Sequence, residues 1–260
     1  ESALDSLVAP LAEQGQVLLL VLDGMSEAVY RQLSVDLVRN NWLELQTVEA
    51  QGDACLVAAL PTVTQVSRCS LLSGVLCEGN AGDEKKAFTG HAQLKKLAST
   101  KFPPLVYHKP DLSQPGSGSL HSNVRAVIAG KEHRILAVVI NAIDDQLSSS
   151  SQVKVDWSFE TVALLRHVME AAREAGRIVI VTSDHGHVLD HDSVYQQSAD
   201  DNGERYHPIA PGIAPSELEV LVSGDRVVTA NKQVILPWSE RVRYTRAKNH
   251  GYHGGGSLQE

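Results

Sequence analysis

Three short apolar runs in this chain each lead into acidic residues. Val17–Leu22 runs into Asp23-Gly24, Ile135–Ile140 leads through Asn141-Ala142-Ile143 into Asp144-Asp145, and Ile178–Thr182 runs into Ser183-Asp184-His185-Gly186-His187. Runs of that length and composition read as buried strands of a parallel sheet. Open α/β sheets place their reactive groups beyond the carboxyl ends of such strands. Carboxylates gathered along one edge repel each other unless a cation sits among them, so the implied chemistry is that of one or two divalent metal ions. Asp184-His185 is the sharpest local signal, because a hard carboxylate beside an imidazole suits zinc, manganese or a related ion. A capping Asp next to an exposed His gives the same tetrapeptide. Asp23-Gly24 alone is a common turn pair; beside two other acidic strand ends the ligand reading is the better one.

Two further segments carry reactive groups. Pro61-Thr62-Val63-Thr64-Gln65-Val66-Ser67-Arg68 sets hydroxyls at the start of a helical pattern. Such a hydroxyl is either an N-cap or a nucleophile with phosphate held at the helix N-terminus. His250-Gly251-Tyr252-His253-Gly254-Gly255-Gly256 offers two imidazoles among glycines that let the backbone approach a ligand, or else a flexible tail. The chain has neither the glycine-rich phosphate loop of kinases and ATPases nor a GxSxG elbow.

The elements that must position these groups alternate strand and helix. Ser26–Asn40 reads as a helix with Ala28, Val29, Leu33, Leu37 and Val38 inward, and Val57–Leu60 as a strand ended by Pro61. Helical spacing resumes over Thr64–Leu76. Gly79–Lys86 and Lys109–Asn123 read as loops. Phe159–Ala175 is the clearest helix, capped by Ser158 and ended by Gly176, and it completes a βαβ unit. Asp190–Pro215 reads as a polar insertion, and Glu219–Val222, Arg226–Thr229 and Gln233–Leu236 as a small antiparallel sheet. Ser257–Glu260 has the look of a helix start.

Composition narrows the function. With 260 residues, 43% of them hydrophobic, the chain can build one large core or a core plus a small cap. A formal net charge of -8 argues against generic nucleic-acid or anionic-membrane binding. Cys55, Cys69 and Cys77 are odd in number and lack CxxC spacing, which suggests reduced thiols in the cytoplasm. No apolar run reaches membrane-spanning length. Beginning at Glu1 and ending after a glycine run, the chain reads as a domain cut from a longer protein.

Taken together, these residues resemble the alkaline phosphatase superfamily in motif order: Asp23 after the first strand, a Thr at a helix start, a second acidic strand end, Ser183-Asp184-His185-Gly186, and a late His. Ile143-Asp144-Asp145, Ser183–His187, Gly251-Tyr252-His253-Gly254-Gly255 and the stretch Val227–Tyr244 with Pro237-Trp238 and Arg243-Tyr244 are similar to PglZ domains. Those belong to phage-defence systems of the BREX and phage-growth-limitation type. The likeness runs from Val17 to Glu260. It implies an α/β fold with a mainly parallel sheet flanked by helices and a small antiparallel β/loop cap. The core would be residues 1–190 and 245–260, and the cap residues 191–244.

The resemblance also implies roles. Asp23, Thr64, Asp184 and His185 match the ligands of one metal, and Asp144 and His253 those of another. Thr64 is the implied nucleophile, preferred over Thr62 because related diesterases use the second Thr of a Pro-Thr-x-Thr segment. Four residues after Asp144, where the superfamily carries a ligand His, stands Ser148; Asp145, His187 or His250 are the candidate substitutes. The implied activity is phosphodiester or phosphomonoester hydrolysis with zinc, manganese or magnesium, on a nucleotide or nucleic acid, alongside other defence proteins. A homodimer stays open. A metal-stabilised scaffold is the alternative that Ser148 supports. A phosphomutase fits less well, since no segment is long enough for the rotating domain such enzymes insert.

Overall fold

The structure, a computed structural model, describes residues 2–45, 56–113, 118–148, 156–190, 193–197, 204–209, 212, 214–246 and 249–260. A π-helical turn, Leu4–Val8, leads into α1 (Ala9–Gln14). Then come β1 (Val17–Leu22), α2 (Glu27–Arg39), α3 (Thr64–Ser73), α4 (Ala81–Gly90), α5 (Ala92–Leu97), β2 (Leu105–Tyr107), α6 (Lys109–Leu112) and α7 (Ser122–Ala129). The second half holds β3 (Ile135–Ile140), α8 (Ala142–Leu147), α9 (Leu165–Ala175), β4 (Ile178–Thr182), β5 (Val188–Leu189), β6 (Val194–Tyr195), β7 (Glu219–Ser223), β8 (Gln233–Pro237), β9 (Val242–Arg243) and β10 (Gly251–Tyr252).

The three apolar runs are β1, β3 and β4 of a four-stranded parallel sheet in the order β2-β3-β1-β4. Every residue of β1 and β3 is buried, which is why both runs are apolar without alternation. Successive side chains of β1 go to opposite faces. Leu18, Leu20 and Leu22 pack with Val29 and Leu33 of α2, Val124 and Ile128 of α7, and Val168 and Met169 of α9. Val17, Leu19 and Val21 pack with Ala12 of α1, Leu72 of α3, Phe88 of α4 and Leu94 of α5. Helices thus cover both faces. No helix among the described residues is long and apolar enough to cross a membrane.

Several local expectations are corrected. Gly79–Lys86 is not a loop: α4 starts at Ala81, because Asn80 Oδ1 accepts from Gly82 N–H at 2.8 Å while Asp83 accepts from Asn80 N–H at 3.0 Å. That reciprocal capping box lies in residues whose polarity suggested a connection. Lys109–Asn123 holds the short helix α6 and the start of α7, with 114–117 outside the described residues. The helix expected from Phe159 begins only at Leu165. Ser158 and Thr161 bond each other in a turn, and Phe159 and Val162 are wedged into the core instead. On α2, Ala28 and Val38 face outward, while Val29 and Leu33 are buried and Leu37 packs partly buried against the same core. Val57–Leu60 and Arg226–Thr229 reduce to a single bridge, Leu60 with Val227, where Pro61 cannot donate to continue the pairing. Ser257–Glu260 is a turn, Glu260 N–H donating to Ser257 O at 3.2 Å.

Residues 194–244 carry small sheets: β7 with β8 antiparallel, and β6 with β9 parallel. β10 returns antiparallel to β5, which follows His187. That pairing delivers His253 to the end of β4. Cys69 and Cys77 are free thiols with sulfurs 3.0 Å apart. Burial pushes the Cys69 thiol up to about 12. Cys55 lies outside the described residues.

Candidate metal centre

Sheet register brings the acidic strand ends level. Leu22 pairs with Ile140 and Val21 with Thr182, so continuing each ladder sets Asp23 beside Asn141 and Asp184. Gly24 turns the chain with φ +78°, and a Cβ there would lie 3.3 Å from the Asp144 Cβ. The turn is tied across the sheet. Gly24 N–H donates to Asp184 Oδ1 at 3.4 Å, Met25 N–H to Ser183 Oγ at 3.0 Å, and His187 Nδ1 to Gly24 O at 2.7 Å. His187 is therefore a wall of the site that holds its floor, and burial lowers the pKa of its imidazole.

His185 is fixed by its other nitrogen. Nδ1 faces Gly186 O at 2.9 Å. A carbonyl only accepts, so Nδ1 carries the proton and Nε2 presents a lone pair, the form that binds metal. Nε2 lies 3.4 Å from Asp23 Oδ1, 3.8 Å from Asp184 Oδ2 and 3.2 Å from Thr64 Oγ1. One ligand atom from each of Asp23, Asp184 and His185 lies within 4.8 Å of the others, and all three residues are buried. Ligands about 2.1 Å from a tetrahedral ion sit about 3.4 Å apart, so these spacings suit one ion.

Electrostatics argue in the same direction. Asp23 Oδ1 and Asp184 Oδ2 are buried with no hydrogen-bond donor. Burial, then the Asp184 charge, raises Asp23 to about 8; burial raises Asp184 to about 6. Unpaired buried carboxylate oxygens are costly unless a cation meets them. The residues present therefore fit a divalent ion. Asp23 Oδ2 is occupied: Arg68 Nη1 donates to it at 2.7 Å and Asn141 Nδ2 also bonds it. This leaves Oδ1 as the free oxygen. Arg68 is itself gripped by the fully buried Glu84, with Nε 3.1 Å from each carboxylate oxygen, and Glu84 bonds His108 behind it.

The two threonines separate cleanly. Thr62 is buried and its hydroxyl donates to Gly255 O at 2.7 Å, tying the helix approach to the C-terminal glycines. Thr64 is the first residue of α3, half-buried, with its hydroxyl on His185. The first N–H groups of a helix have no intrahelical partner and favour anions, so Thr64 stands between them and the ligand atoms.

A second pair adjoins the first. His253 Nε2 is 3.6 Å from Asp144 Oδ1, and the His253 ring lies on the His185 ring with centroids 4.4 Å apart. Burial lowers the His253 pKa, and the His185 charge adds to it. The candidate substitutes for Ser148 separate. Ser148 is exposed and its hydroxyl closes α8 on Asp144 O at 2.9 Å. Asp145 points away and pairs with Lys109 at 2.7 Å. His250 sits where its backbone joins Leu147 O and Asp190 N–H, with Nε2 buried and unpartnered. The group that does reach His253 is Glu204, with Oε2 3.2 Å from Nδ1.

Sequence reading missed Arg68, Asn141, Glu84, His108 and Glu204. Arg68 lies four residues after Thr64 and so shares its helix face. Asn141 follows β3 as Asp23 follows β1. Both were legible. Glu204 sits in a polar insertion without periodicity, and nothing local marks it.

Among curated proteins, none matches the chain. The family model described as the BREX system PglZ alkaline phosphatase-like domain matches residues 3–260. With that match spanning the whole sheet and both carboxylate–imidazole groups, the chain belongs to the PglZ family of BREX alkaline phosphatase-like domains.

Proposed function

We propose that this domain hydrolyses phosphoesters, preferentially diesters, with Thr64 as nucleophile at a metal held by Asp23, Asp184, His185 and Thr64 itself, and with a weaker second ion at Asp144 and His253. The observation that carries the reading is the convergence of two donor-less buried carboxylate oxygens and the His185 lone pair on the hydroxyl that starts α3. A bound divalent ion lowers the pKa of that hydroxyl and offsets phosphoryl charge. The chain supplies the rest. Arg68 and Asn141 hold Asp23 in one orientation, His187 and Ser183 brace the turn, and the α3 N-terminus offers donors to phosphoryl oxygens. Thr64 Oγ bonds phosphorus as the P–O bond to one ester group breaks, and the hydroxyl proton ends on the departing alkoxide, which leaves as the alcohol. Water then bonds phosphorus, the Thr64 Oγ–P bond breaks, and a proton of that water restores the hydroxyl.

Zinc suits the nitrogen and carboxylate donors, with manganese and magnesium as alternatives. A nucleotide or a short dinucleotide suits the net charge of -8 better than a long duplex. Other defence proteins, in the cytoplasm, are its proposed partners, a reading that the BREX description of the family supports. The second reading is a scaffold that keeps one ion for stability. Ser148 favours it, being turned out to solvent where a ligand would be needed. Turnover of a nitrophenyl phosphodiester by metal-loaded protein, against Thr64→Ala, separates the two. Hydrolysis lost in the variant supports the enzyme; no hydrolysis with any of the three metals supports the scaffold.

A further inference from the structure

We infer that Glu204 is the positioning residue for the second ion, holding His253 so that Nε2 and the Asp144 carboxylate face one another across a cation. This rests on the two-ion reading above and names the residue that completes it in place of a histidine at position 148.

The two edges of the His253 ring meet different carboxylates. Glu204 Oε2 is 3.2 Å from Nδ1, and Asp144 Oδ1 is 3.6 Å from Nε2. A neutral imidazole has one N–H. With an acceptor-only carboxylate 3.2 Å away, Nδ1 is the nitrogen that carries it, at ion-pair distance and without a formed hydrogen bond. Nε2 then turns its lone pair to another anion, which is unfavourable unless a positive ion lies between them. Asp144 and Nε2 are spaced as two ligands of one ion are. Glu204 stands on the opposite edge of the ring, where a carboxylate commonly orients a metal-bound histidine and raises its basicity.

The backbone builds this contact. Arg205 N–H donates to His253 O at 2.8 Å, so residue 204 runs alongside the His253 segment. Arg205 is fully buried, with Nη1 on Glu260 Oε2 at 2.7 Å, Nε on Val242 O at 3.0 Å and Nη2 on Ser239 O at 2.8 Å. Glu204 therefore extends from an anchored segment, although its own side chain keeps about a third of its surface exposed. Gly254 permits the approach: a Cβ there would fall 2.9 Å from Arg205 N and 3.3 Å from the Glu204 Cβ, at φ +103°.

The test is calorimetric titration of metal-free wild type, Glu204→Gln and Glu204→Ala with zinc and with manganese, alongside ring-nitrogen NMR of His253 before metal is added. Two binding steps are expected in wild type. Glu204→Ala should leave the tight step unchanged and weaken the other about 10- to 100-fold. Glu204→Gln, whose amide oxygen still accepts from Nδ1–H, should fall between. The His253 signals should show Nδ1–H in wild type and a shift toward Nε2–H in Glu204→Ala. Two steps of unchanged affinity in Glu204→Ala, or Nε2–H in wild type, overturn the assignment of Glu204. A single step in wild type with His253 already Nδ1–H overturns the second ion itself, and with it Glu204's role toward a metal. Should Glu204→Ala fail to fold, the Gln variant decides on the same criteria.

Discussion

Asp184→Asn should make the metal-free protein more stable at pH 9 and at the same time remove its response to metal. Asp184 is fully buried, and its Oδ2 has no donor while facing Asp23. Their ligand atoms lie within 4.8 Å, a separation at which two unit charges repel by about 3–4 kcal/mol at an effective dielectric of about 20. Arg68, on Asp23, offsets part of that, which leaves a gain of about 1–3 kcal/mol. Asparagine keeps an oxygen for Gly24 N–H and offers Asp23 an amide donor. For a chain of this size the gain corresponds to a melting temperature higher by about 3–10 °C. The pH window follows from the raised values. A carboxyl whose folded pKa lies above its unfolded one contributes stability fully present below the unfolded pKa and lost as pH rises through the folded pKa. Asp184, raised to about 6, and Asp23, raised to about 8, should therefore cost metal-free wild type stability progressively from about pH 4 to about pH 8. At pH 5 the folded carboxyls are mostly protonated and only part of the cost has built up, so the advantage of the variant should be smaller there than at pH 9 and should vanish below about pH 4. Added zinc should raise wild type by about 2.7 kcal/mol at a hundredfold excess over its dissociation constant, and Asp184→Asn by far less. Thermal melts at pH 5 and pH 9, with and without metal, read all four states. A variant that is less stable than wild type without metal at pH 9, yet responds to zinc in full, refutes the assignment of these carboxylates as ligands.

Three other outcomes follow from the same geometry. Thr62→Ala should lose about 1–2 kcal/mol of stability and keep its chemistry, since its hydroxyl only ties Gly255 O, whereas Thr64→Ala should melt near wild type and lose several orders of magnitude in turnover; melts and initial rates on both variants check the pair. Asp144→Ala should abolish only the weaker of two metal-binding steps, and a titration in which the tight step disappears instead would reverse the assignment of the two sites. Gly186→Ala should unseat the C-terminal turn, because a Cβ there would come 1.9 Å from Gln259 O; a large drop in melting temperature and faster proteolysis after Gly255 are expected, and an unperturbed melt would show that the tail packs differently.

The parts of this fold carried by long-range burial were the legible ones. Residues 17–22 and 135–140 are apolar without a break because both faces of their strands are covered, and few other settings leave so short a run wholly apolar. The carboxylates beyond them followed from strand ends alone. Local boundaries were less legible where small polar residues serve two purposes. Asn80 and Asp83 look like loop residues and are a capping box. Ser158 looks like an N-cap and instead closes a turn that lets Phe159 enter the core. Within the site, residue types showed which groups could bind metal but not which oxygen would be spoken for. That depends on Arg68 and Asn141 occupying one side of Asp23, and on Glu204 reaching His253 from a segment with no periodic signal.

The central claim is that Thr64 attacks phosphorus at a metal held by Asp23, Asp184 and His185. The most direct measurement is the initial rate of nitrophenyl phosphodiester release by wild type and by Thr64→Ala, each loaded with the same metal to the same stoichiometry and each shown folded by its melt. Steady turnover is expected in wild type and a loss of several orders of magnitude in the variant. Equal rates in the two proteins, or no release by wild type with zinc, manganese or magnesium, would contradict it.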